Sequence, residues 1–447
     1  MAGIVVAAAQ PMPIGWADLP AALQSFLETR DLTSAGFPAF VARVRETTAQ
    51  RVREGQLDHV IYYALQSTQF TSLPAIEPAL SAKALADSLD AETRARFRAD
   101  PLSVPIASVP VPVQQRIGAL LAAFDKAGAG NERSRLFGEV VREAFPDHHE
   151  RKVGLLHAYV RAMRFLYEKE FEARSDSASV RLYQSRGLST DTAVEAGYLV
   201  HFGLATLHAL SPDTKVRRVL IVGPGLDLAP RTGLLETAPP QSYQPWAVID
   251  ALVSLGLSRL DDLDVTAADI NPLIVDHLNA ASKAPPSLVM LSGIADDKQT
   301  TTLTDDYRDY FARLGRSIGQ ELAAPKVDAA HAAHLRKTLQ VNAAAAKVLH
   351  AERLDLVTER LPARFDLVII TNVLPYFDDK ELALALANIA AMLQPGEHLL
   401  HNEPRPVLGD ITTRLGLPFI HSRTAIIANV AGATMPLADA VFIHGKQ

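Results

Sequence analysis

Residues 218–233 read RVLIVGPGLDLAPRTG, and this stretch decides the fold. The run Val219 to Val222 has the pattern of a buried strand and ends at Gly223-Pro224-Gly225. In a dinucleotide site a helix begins directly after such a turn, and a third glycine allows close packing. Here Asp227 stands near the place of the third glycine, and prolines delay the next helix to about Ser242. The turn is therefore a poor site for a pyrophosphate.

The turn instead suits a nucleoside that carries no phosphate. Glycines at 223 and 225 let the backbone approach a ligand closely, which a Cβ would obstruct. The Asp227 carboxylate would repel a pyrophosphate, but it would attract the ammonium group of a ligand that contains an amino acid. We therefore expect Gly223, Pro224, Gly225 and Asp227 to line a ligand site.

Two further acidic residues are candidates for contacts with a nucleoside. The predicted strand 264–269 ends in Asp269. Ile270 comes next, and a helix begins at about Pro272. An acid in this place accepts hydrogen bonds from ribose hydroxyls in nucleotide folds, although an aspartate before a helix also serves as a cap. Asp355 could accept from an adenine amino group, or it is an ordinary solvated loop acid.

The composition limits the classes of partner. The 447 residues are 48% apolar, which is enough for two domains, and the net charge is -6 with basic and acidic residues interspersed. The absence of cysteine excludes disulfides and thiolate metal sites. The sequence contains no apolar run of 18 residues, so no membrane span is predicted. The segment MAGIVVAAAQP lacks the basic residues of a signal peptide. We expect a cytoplasmic protein without nucleic-acid, membrane or metal partners, of undetermined oligomeric state.

The two halves of the chain differ in pattern. Apolar residues at three- and four-residue spacing predict an all-α N-terminal domain, which we place at residues 1–185. Alternating strands and helices predict an α/β domain with a mostly parallel sheet at residues 186–447. The strands expected in that sheet are 217–222, 264–269, 287–292, 365–371 and 397–401. The runs 423–430 and 440–445 are linked too closely for a crossover helix and predict an antiparallel C-terminal hairpin.

Residues 186–447 resemble the class I S-adenosylmethionine-dependent methyltransferases. The segments that carry the resemblance are the turn 223–225, Asp269, Asp355, Phe365-Asp366, Asn372 to Phe377 and Leu393 to Glu397. The resemblance implies a seven-stranded Rossmann-like sheet with a reversed last strand and S-adenosylmethionine as the cofactor. The residues expected to bind it are Gly223, Pro224, Gly225, Asp227, Asp269, Ile270, Asp355, Leu356, Asn372 and Val373.

A smaller set of segments is similar to the chemotaxis-receptor glutamate methyltransferases. These segments are Ala268-Asp269-Ile270, Tyr307 to Phe311 and Asn372 to Asp378. The Thr-Gly-Glu-Glu of that family after the first strand is missing, and Thr232 to Glu236 echoes it only loosely. The methyl acceptor, a small molecule or a protein side chain, therefore stays open.

Methyl transfer from a sulfonium mainly requires that donor and acceptor be oriented. A hydroxyl or amine acceptor benefits from a general base, whereas a carboxylate needs none. His401 with Glu403 is the most base-like pair at the strand ends, and Tyr376 faces the same edge. Structural roles for His401, Tyr376 and Asn372 are the alternatives. We expect the acceptor to bind between the two domains, with the helical one as a lid or a selector of substrate.

Two other functions are compatible with parts of this pattern. The first is a scaffold or regulatory protein that binds S-adenosylmethionine or S-adenosylhomocysteine without transferring the methyl group. The second is an NAD-dependent oxidoreductase, which the missing third glycine and the delayed helix disfavour.

Overall fold

The computed structural model describes residues 10–126, 132–173, 175–229, 236, 238–327 and 329–447. Thr232 to Leu235, part of the loose echo noted above, lie outside these residues, as do Met1 to Ala9. The chain forms two compact units. The first contains residues 1–47, 192–226 and 242–447, and the second contains residues 48–191 and 227–241.

The strands, in chain order, are β1 (Met12–Pro13), β2 (Arg218–Val222), β3 (Asp264–Asp269), β4 (Ser287–Ala295), β5 (Thr301–Leu303), β6 (Gly319–Leu322), β7 (His334–Val341), β8 (Leu349–Arg353), β9 (Glu359–Arg360), β10 (Phe365–Ile370), β11 (Leu393–His401), β12 (Phe419–Val430) and β13 (Leu437–Gly445). The helices are α1 (Ala21–Glu28), α2 (Phe37–Gln66), α3 (Pro78–Ser88), α4 (Ala91–Ala99), α5 (Val111–Phe124), α6 (Glu132–Ala144), α7 (His148–Tyr167), α8 (Asp176–Ser185), α9 (Val194–Leu210), α10 (Gln244–Ser254), α11 (Pro272–Lys283), α12 (Asp305–Arg313), α13 (Ala343–Lys347), α14 (Asp379–Met392) and α15 (Pro406–Arg414).

The main sheet of the first unit has the order β5-β12-β13-β11-β10-β2-β3-β8. The five strands from β11 to β8 are parallel. Beyond them, β13 runs antiparallel to β11, β12 antiparallel to β13, and β5 antiparallel to β12. The sheet thus has eight strands among the described residues, not the predicted seven, because the short β5 adds to the edge at β12.

The order of strands reverses beside β2. The chain runs outward from β2 through β3 to β8, and then returns to place β10 on the other side of β2. Both β10 and four of the five residues of β2 are buried, which explains their nearly continuous apolar sequences. Open α/β sheets bind ligands outside the carboxyl ends of the strands at such a reversal, so the fold directs attention to the carboxyl ends of β2, β3 and β10.

The segment from residue 287 to residue 341 departs from the prediction. The predicted strand 287–292 is part of β4, but β4 pairs antiparallel with β7 in a separate three-stranded sheet of order β4-β7-β6. The place next to β3 in the main sheet belongs to β8, which we did not predict. The sequence of β8, LHAER, alternates polar and apolar residues, as is typical of an edge strand with one open face.

Residues 10–47 belong with the sheet, whereas the sequence predicts one division at residue 185. Side chains of α1 and the start of α2, such as Phe26 and Val41, share one hydrophobic core with Leu382 and Ile389 of α14. The short β1 also pairs with β9. The helical unit therefore begins at residue 48, extends to residue 191, and takes residues 227–241 from the predicted α/β domain.

In the helical unit, two buried arginines bind backbone carbonyls. Arg116 of α5 donates to the carbonyl oxygens of Ala64 (2.7 Å), Pro74 (2.9 Å), Ser67 and Leu73. Arg133 of α6 donates to those of Ala238 (3.1 Å), Pro239 (3.3 Å), Asp227 and Leu228. Ala64 lies in the last turn of α2 and the other carbonyls lie in irregular segments, so the guanidinium groups supply hydrogen bonds that helix and sheet pairing leave out. Arg133 thereby fixes both ends of the segment 227–241.

We predict that Arg133→Met loosens this segment. The substitution leaves buried carbonyls without donors, and it should lower the free energy of unfolding of the helical unit by about 3 kcal/mol. Amide hydrogen exchange in residues 227–241 should become faster than in the wild type. The matched control is Arg135→Met, an exposed position on the same helix. Equal exchange in the wild type and Arg133→Met would contradict this role.

Candidate functional site

The carboxyl ends of the parallel strands bring most of the predicted site residues to one edge. Gly223 follows β2, Asp269 ends β3, and Asp355 follows β8 by two residues. Asn372 follows β10 by two residues, and Asn402 comes directly after β11. Because these strands are parallel and adjacent, the five positions lie along the same edge of the sheet.

The glycine turn is built by left-handed backbone at two positions. Gly223 has φ +67° and Gly225 has φ +74°, a region that other residues adopt only with strain. The Gly223 N–H donates to the Ala268 carbonyl at 2.9 Å, which ties the turn to β3. A Cβ on Gly223 would lie 2.3 Å from Cγ2 of Val373. The Cβ side of Gly223 is thus filled by Val373, so a ligand contact with Gly223 stays a prediction for the other faces of the turn.

Asp227 belongs to the helical unit. Its backbone N–H donates to the Gln241 carbonyl at 2.8 Å, and its side chain is buried. The division of the chain falls between Leu226 and Asp227. A contact of Asp227 with a ligand ammonium stays a prediction.

Asp269 is a polar group at the end of β3 that remains partly exposed. Its Oδ1 accepts from the Asn271 N–H at 2.8 Å. The cap of α11 is Asn271, whose Oδ1 accepts from Leu273 at 3.1 Å, so Asp269 is not the helix cap. Loss of surrounding water raises the pKa of Asp269 to about 7, and the N–H groups of Asn271 and Ile270 only partly offset that rise. A carboxyl group with a raised pKa at a strand end is a typical binding-site feature.

Asp355 and Leu356 have local structural roles. The Asp355 carboxyl is buried, which raises its pKa, and its Oδ1 accepts from the Val357 N–H at 3.1 Å. Asp355 is therefore not a solvated loop acid. Leu356 is 4% exposed and packs in the main core, where Asn388 binds its carbonyl at 2.8 Å. The predicted cofactor contact of the Leu356 side chain does not agree with this placement.

Asn372 and Asn402 form a reciprocal pair across β10 and β11. The Asn372 N–H donates to Asn402 Oδ1 at 2.9 Å, and Asn402 Nδ2 donates to Asn372 Oδ1 at 2.8 Å. Asn402 Nδ2 also donates to Asp439 Oδ2 on β13 at 3.1 Å. Asn372 has φ +60°, which asparagine tolerates better than most residues. The side chain of Asn372 is exposed at the sheet edge.

The predicted base pair of His401 and Glu403 does not form. His401 is 1% exposed and stacks on Phe442 and His444, with ring centroids 5.3 and 5.0 Å away. Its Nδ1 accepts from the Glu403 backbone N–H at 3.1 Å, and burial, assisted by the nearby His444, lowers its pKa to about 3. A buried imidazole with so low a pKa stays neutral and is a weak base near neutral pH. His401 therefore has the structural role that we kept as its alternative.

The Glu403 carboxylate holds a loop in place through Arg405. Glu403 Oε1 lies 3.1 Å from Nε of Arg405, whose other nitrogens donate to the carbonyls of Phe377 (2.8 Å) and Leu374 (2.6 Å). This arrangement fixes the short 3₁₀ turn Leu374–Tyr376, in which Tyr376 is 9% exposed. Both Glu403 and Tyr376 thus shape the loop that follows Asn372.

The sequence did not single out two polar residues at this edge, Gln244 and Asp439. Gln244, at the start of α10, is buried and donates to Thr371 Oγ1 at 2.7 Å. Asp439 is half-buried, and burial raises its pKa. Gln244 lies 21 residues after Gly223 and Asp439 lies on the hairpin, so no short motif joins either to β10.

No helix among the described residues is long and apolar enough to cross a bilayer. No cluster of three or more His, Asp or Glu side chains within the same residues is placed to hold a metal ion.

No family model and no curated protein matches the sequence. Structural neighbours are S-adenosylmethionine-dependent methyltransferases. N-methyltransferase NodS from Bradyrhizobium japonicum WM9, in complex with S-adenosylhomocysteine, is 13% identical over 60% of this chain and 96% of its own, with a TM-score of 0.29. Magnesium protoporphyrin IX methyltransferase ChlM from Synechocystis PCC 6803, with bound S-adenosylmethionine, is 11% identical over 72% and 100%, with a TM-score of 0.29. The CurJ carbon methyltransferase is 12% identical over 96% and 100%, with a TM-score of 0.30. TM-scores of this size do not establish that these proteins share a function with this chain.

We predict that His401→Phe changes how stability depends on pH. The pKa of His401 is lowered from 6.5 to about 3 in the fold, so the unfolded chain takes up a proton first as the pH falls. The wild type should lose stability at this position from pH 6.5 downward, by about 2 kcal/mol at pH 5. The phenyl ring in His401→Phe keeps the stacking, but it has no group that can take up a proton. Urea unfolding at pH 8 and pH 5 should show the variant gaining that amount relative to the wild type, and a pH-independent difference would contradict the buried neutral imidazole.

Proposed function

We propose that this protein transfers a methyl group from S-adenosylmethionine to an acceptor at the carboxyl edge of the main sheet. The observation that carries the proposal is the placement of Asp269 and the left-handed turn at Gly223 on adjacent strands, joined by the Gly223–Ala268 hydrogen bond, where the strand order reverses. Asp269 combines partial exposure with a raised pKa, which fits a carboxyl group that receives ribose hydroxyls.

The described residues fit a nucleoside that has no phosphate. Asp269 would hold the sugar, and the partly exposed Ile270 beside it would pack on the base. The left-handed backbone of Gly223 and Gly225 would pass beneath the remaining part of the cofactor. S-adenosylmethionine supplies an activated methyl group on a sulfonium, and the chain's own residues have to orient it toward the acceptor and keep water out.

The reaction asks little of side-chain acid–base chemistry. The methyl group moves by in-line displacement, the sulfonium loses its charge, and the acceptor atom forms the new bond to carbon. His401 is buried and neutral, and Glu403 is paired with Arg405, so neither is placed to take a proton from an acceptor. The acceptor, a small molecule or a protein side chain, would therefore arrive with a lone pair that is already available.

Isothermal titration calorimetry with S-adenosylhomocysteine and with NADH tests the cofactor class. We expect binding of the first and none of the second. A radiolabelled methyl group from S-adenosylmethionine should then appear in a component of a metabolite or protein extract. Binding without transfer to any fraction would indicate a non-catalytic scaffold, and binding of NADH alone would overturn the proposal.

We predict that Asp269→Ala weakens S-adenosylhomocysteine binding by about 1–3 kcal/mol, because the sugar loses its hydrogen-bond acceptor. The fold should persist, since Asn271 and not Asp269 caps α11. The control is Asp276→Ala, an exposed carboxylate on that helix. Calorimetry on the three proteins measures the difference. Unchanged affinity in Asp269→Ala would remove this residue from the site.

We also predict that affinity depends on pH through Asp269. Its pKa of about 7 in the free protein means that a proton occupies the carboxyl group at lower pH, whereas ribose hydroxyls bind best to the carboxylate. Affinity for S-adenosylhomocysteine should therefore fall below pH 7, by at most about tenfold per pH unit. Calorimetry from pH 5.5 to pH 8.5 should show this slope in the wild type and lose it in Asp269→Ala. The same slope in both proteins would assign it to another group.

A further inference from the structure

Three side chains form a chain of hydrogen bonds along the carboxyl edge. Asn402 lies in the centre, with Asn372 of the β10 end on one side and Asp439 of β13 on the other. Asn402 accepts the Asn372 backbone N–H at 2.9 Å through Oδ1. It donates through Nδ2 to Asn372 Oδ1 at 2.8 Å and to Asp439 Oδ2 at 3.1 Å.

The orientation of both amides follows from groups whose polarity is fixed. A backbone N–H only donates, so the Asn402 atom that faces the Asn372 N–H must be the oxygen. The opposite Asn402 atom must then be the nitrogen, which agrees with the Asp439 carboxylate as its acceptor. This nitrogen requires an oxygen on Asn372. Asn372 therefore turns its oxygen inward, and its own Nδ2 is left facing away from Asn402.

The outward Nδ2 of Asn372 is available to a ligand. The side chain is exposed, and within the described part of the chain Nδ2 makes no hydrogen bond. Its backbone is held at φ +60°, which is sparsely populated and persists only where surrounding contacts fix it. The two bonds to Asn402 are such contacts. The edge thus presents N–H donors in a fixed position beside the glycine turn, since the next residue, Val373, packs on Gly223.

The position of Asn372 relative to Asp269 indicates which part of a ligand it meets. Asp269 ends β3, Gly223 follows β2 and Asn372 follows β10, and these strands are consecutive neighbours in the sheet. Two strand spacings separate the outer positions by about 10 Å. A nucleoside whose sugar is held at β3 and whose amino-acid part crosses the glycine turn brings its far end to β10. That far end carries a carboxylate, an acceptor for N–H donors.

We propose that Asn372 donates a hydrogen bond from Nδ2 to the α-carboxylate of the cofactor's amino-acid part, and that Asn402 and Asp439 are positioning residues that fix this polarity. This inference rests on the proposed function, because it needs the nucleoside at Asp269. Asp439 matters through its acceptor oxygen. Burial raises the pKa of Asp439, and the hydrogen bond from the Asn402 amide stabilises the carboxylate and partly offsets that rise.

A variant in which the side chains at positions 402 and 439 are exchanged tests the direction of these hydrogen bonds. In the double variant Asn402→Asp with Asp439→Asn, the net charge is unchanged and the chain of hydrogen bonds can re-form with reversed direction. Asn372 must then turn its nitrogen inward and its oxygen outward. The single variant Asp439→Asn is the matched control, because an amide oxygen at 439 still accepts from Asn402 and the polarity is kept.

The probes are S-adenosylhomocysteine and 5′-methylthioadenosine, which lacks the amino-acid part. By calorimetry the exchange variant should bind S-adenosylhomocysteine about ten- to a hundredfold more weakly than the wild type, the range for a hydrogen bond to a charged group. Its affinity for 5′-methylthioadenosine should stay within about twofold, which also shows that the pocket is folded. Asp439→Asn should keep both affinities within about threefold of the wild type.

A double-mutant cycle shows whether the exchange variant loses affinity because Asn372 is turned or because the new carboxylate at position 402 repels the ligand. Asn372→Ala alone should weaken S-adenosylhomocysteine binding to a similar degree. Adding the exchange to Asn372→Ala should cause no further loss if Asn402 and Asp439 act through Asn372, and further loss would overturn the positioning role. Equal affinities of the wild type and the exchange variant for both probes would overturn the inference and leave the nucleoside site intact. Failure of the wild type to bind either probe would overturn the proposed function itself.

Discussion

The hydrogen bond from the Gly223 N–H to the Ala268 carbonyl is the interaction on which the site depends. It continues the pairing of β2 with β3 one residue beyond Val222, at the point where the backbone of β2 turns into the left-handed region. Only glycine reaches this conformation without strain and also leaves room for Val373, which would otherwise lie 2.3 Å from a Cβ. The turn thereby joins three strands: β2 by the chain, β3 by the hydrogen bond and β10 by packing.

The polar groups at this edge divide into those that face outward and those that support the fold. Asp269 and Asn372 keep exposed surface and therefore stay available to a ligand. Glu403 and Arg405 hold the Leu374–Tyr376 turn, and His401 lies in a ring stack beneath the edge. A catalyst of methyl transfer needs orientation more than proton transfer, so a site with weak bases and several fixed hydrogen-bond groups is consistent with that chemistry.

The sequence predicted the centre of the sheet better than its periphery. The bounds of β3 agree with the prediction, and those of β2 and β10 differ by one residue at one end, because buried parallel strands have continuous apolar sequences that end in turn residues. β8 was missed because one face of an edge strand is polar, and β4 was assigned to the wrong sheet because an apolar run does not specify its partner strand. The role of His401 stayed open for a similar reason: the sequence pattern of a histidine after a strand is the same whether it faces a pocket or, as here, packs on Phe442 from the next strand. The pairing of Asn402 with Asp439 joins residues 37 positions apart and required the structure.

A crystal structure of the protein with S-adenosylhomocysteine would test the nucleoside site most directly. We predict electron density for the ligand at the carboxyl edge, with both ribose hydroxyls within hydrogen-bonding distance of the Asp269 carboxylate and the amino-acid part lying over Gly223 and Gly225. Density for the nucleoside at any other place on the molecule, with Asp269 bound only to its own backbone, would contradict this prediction.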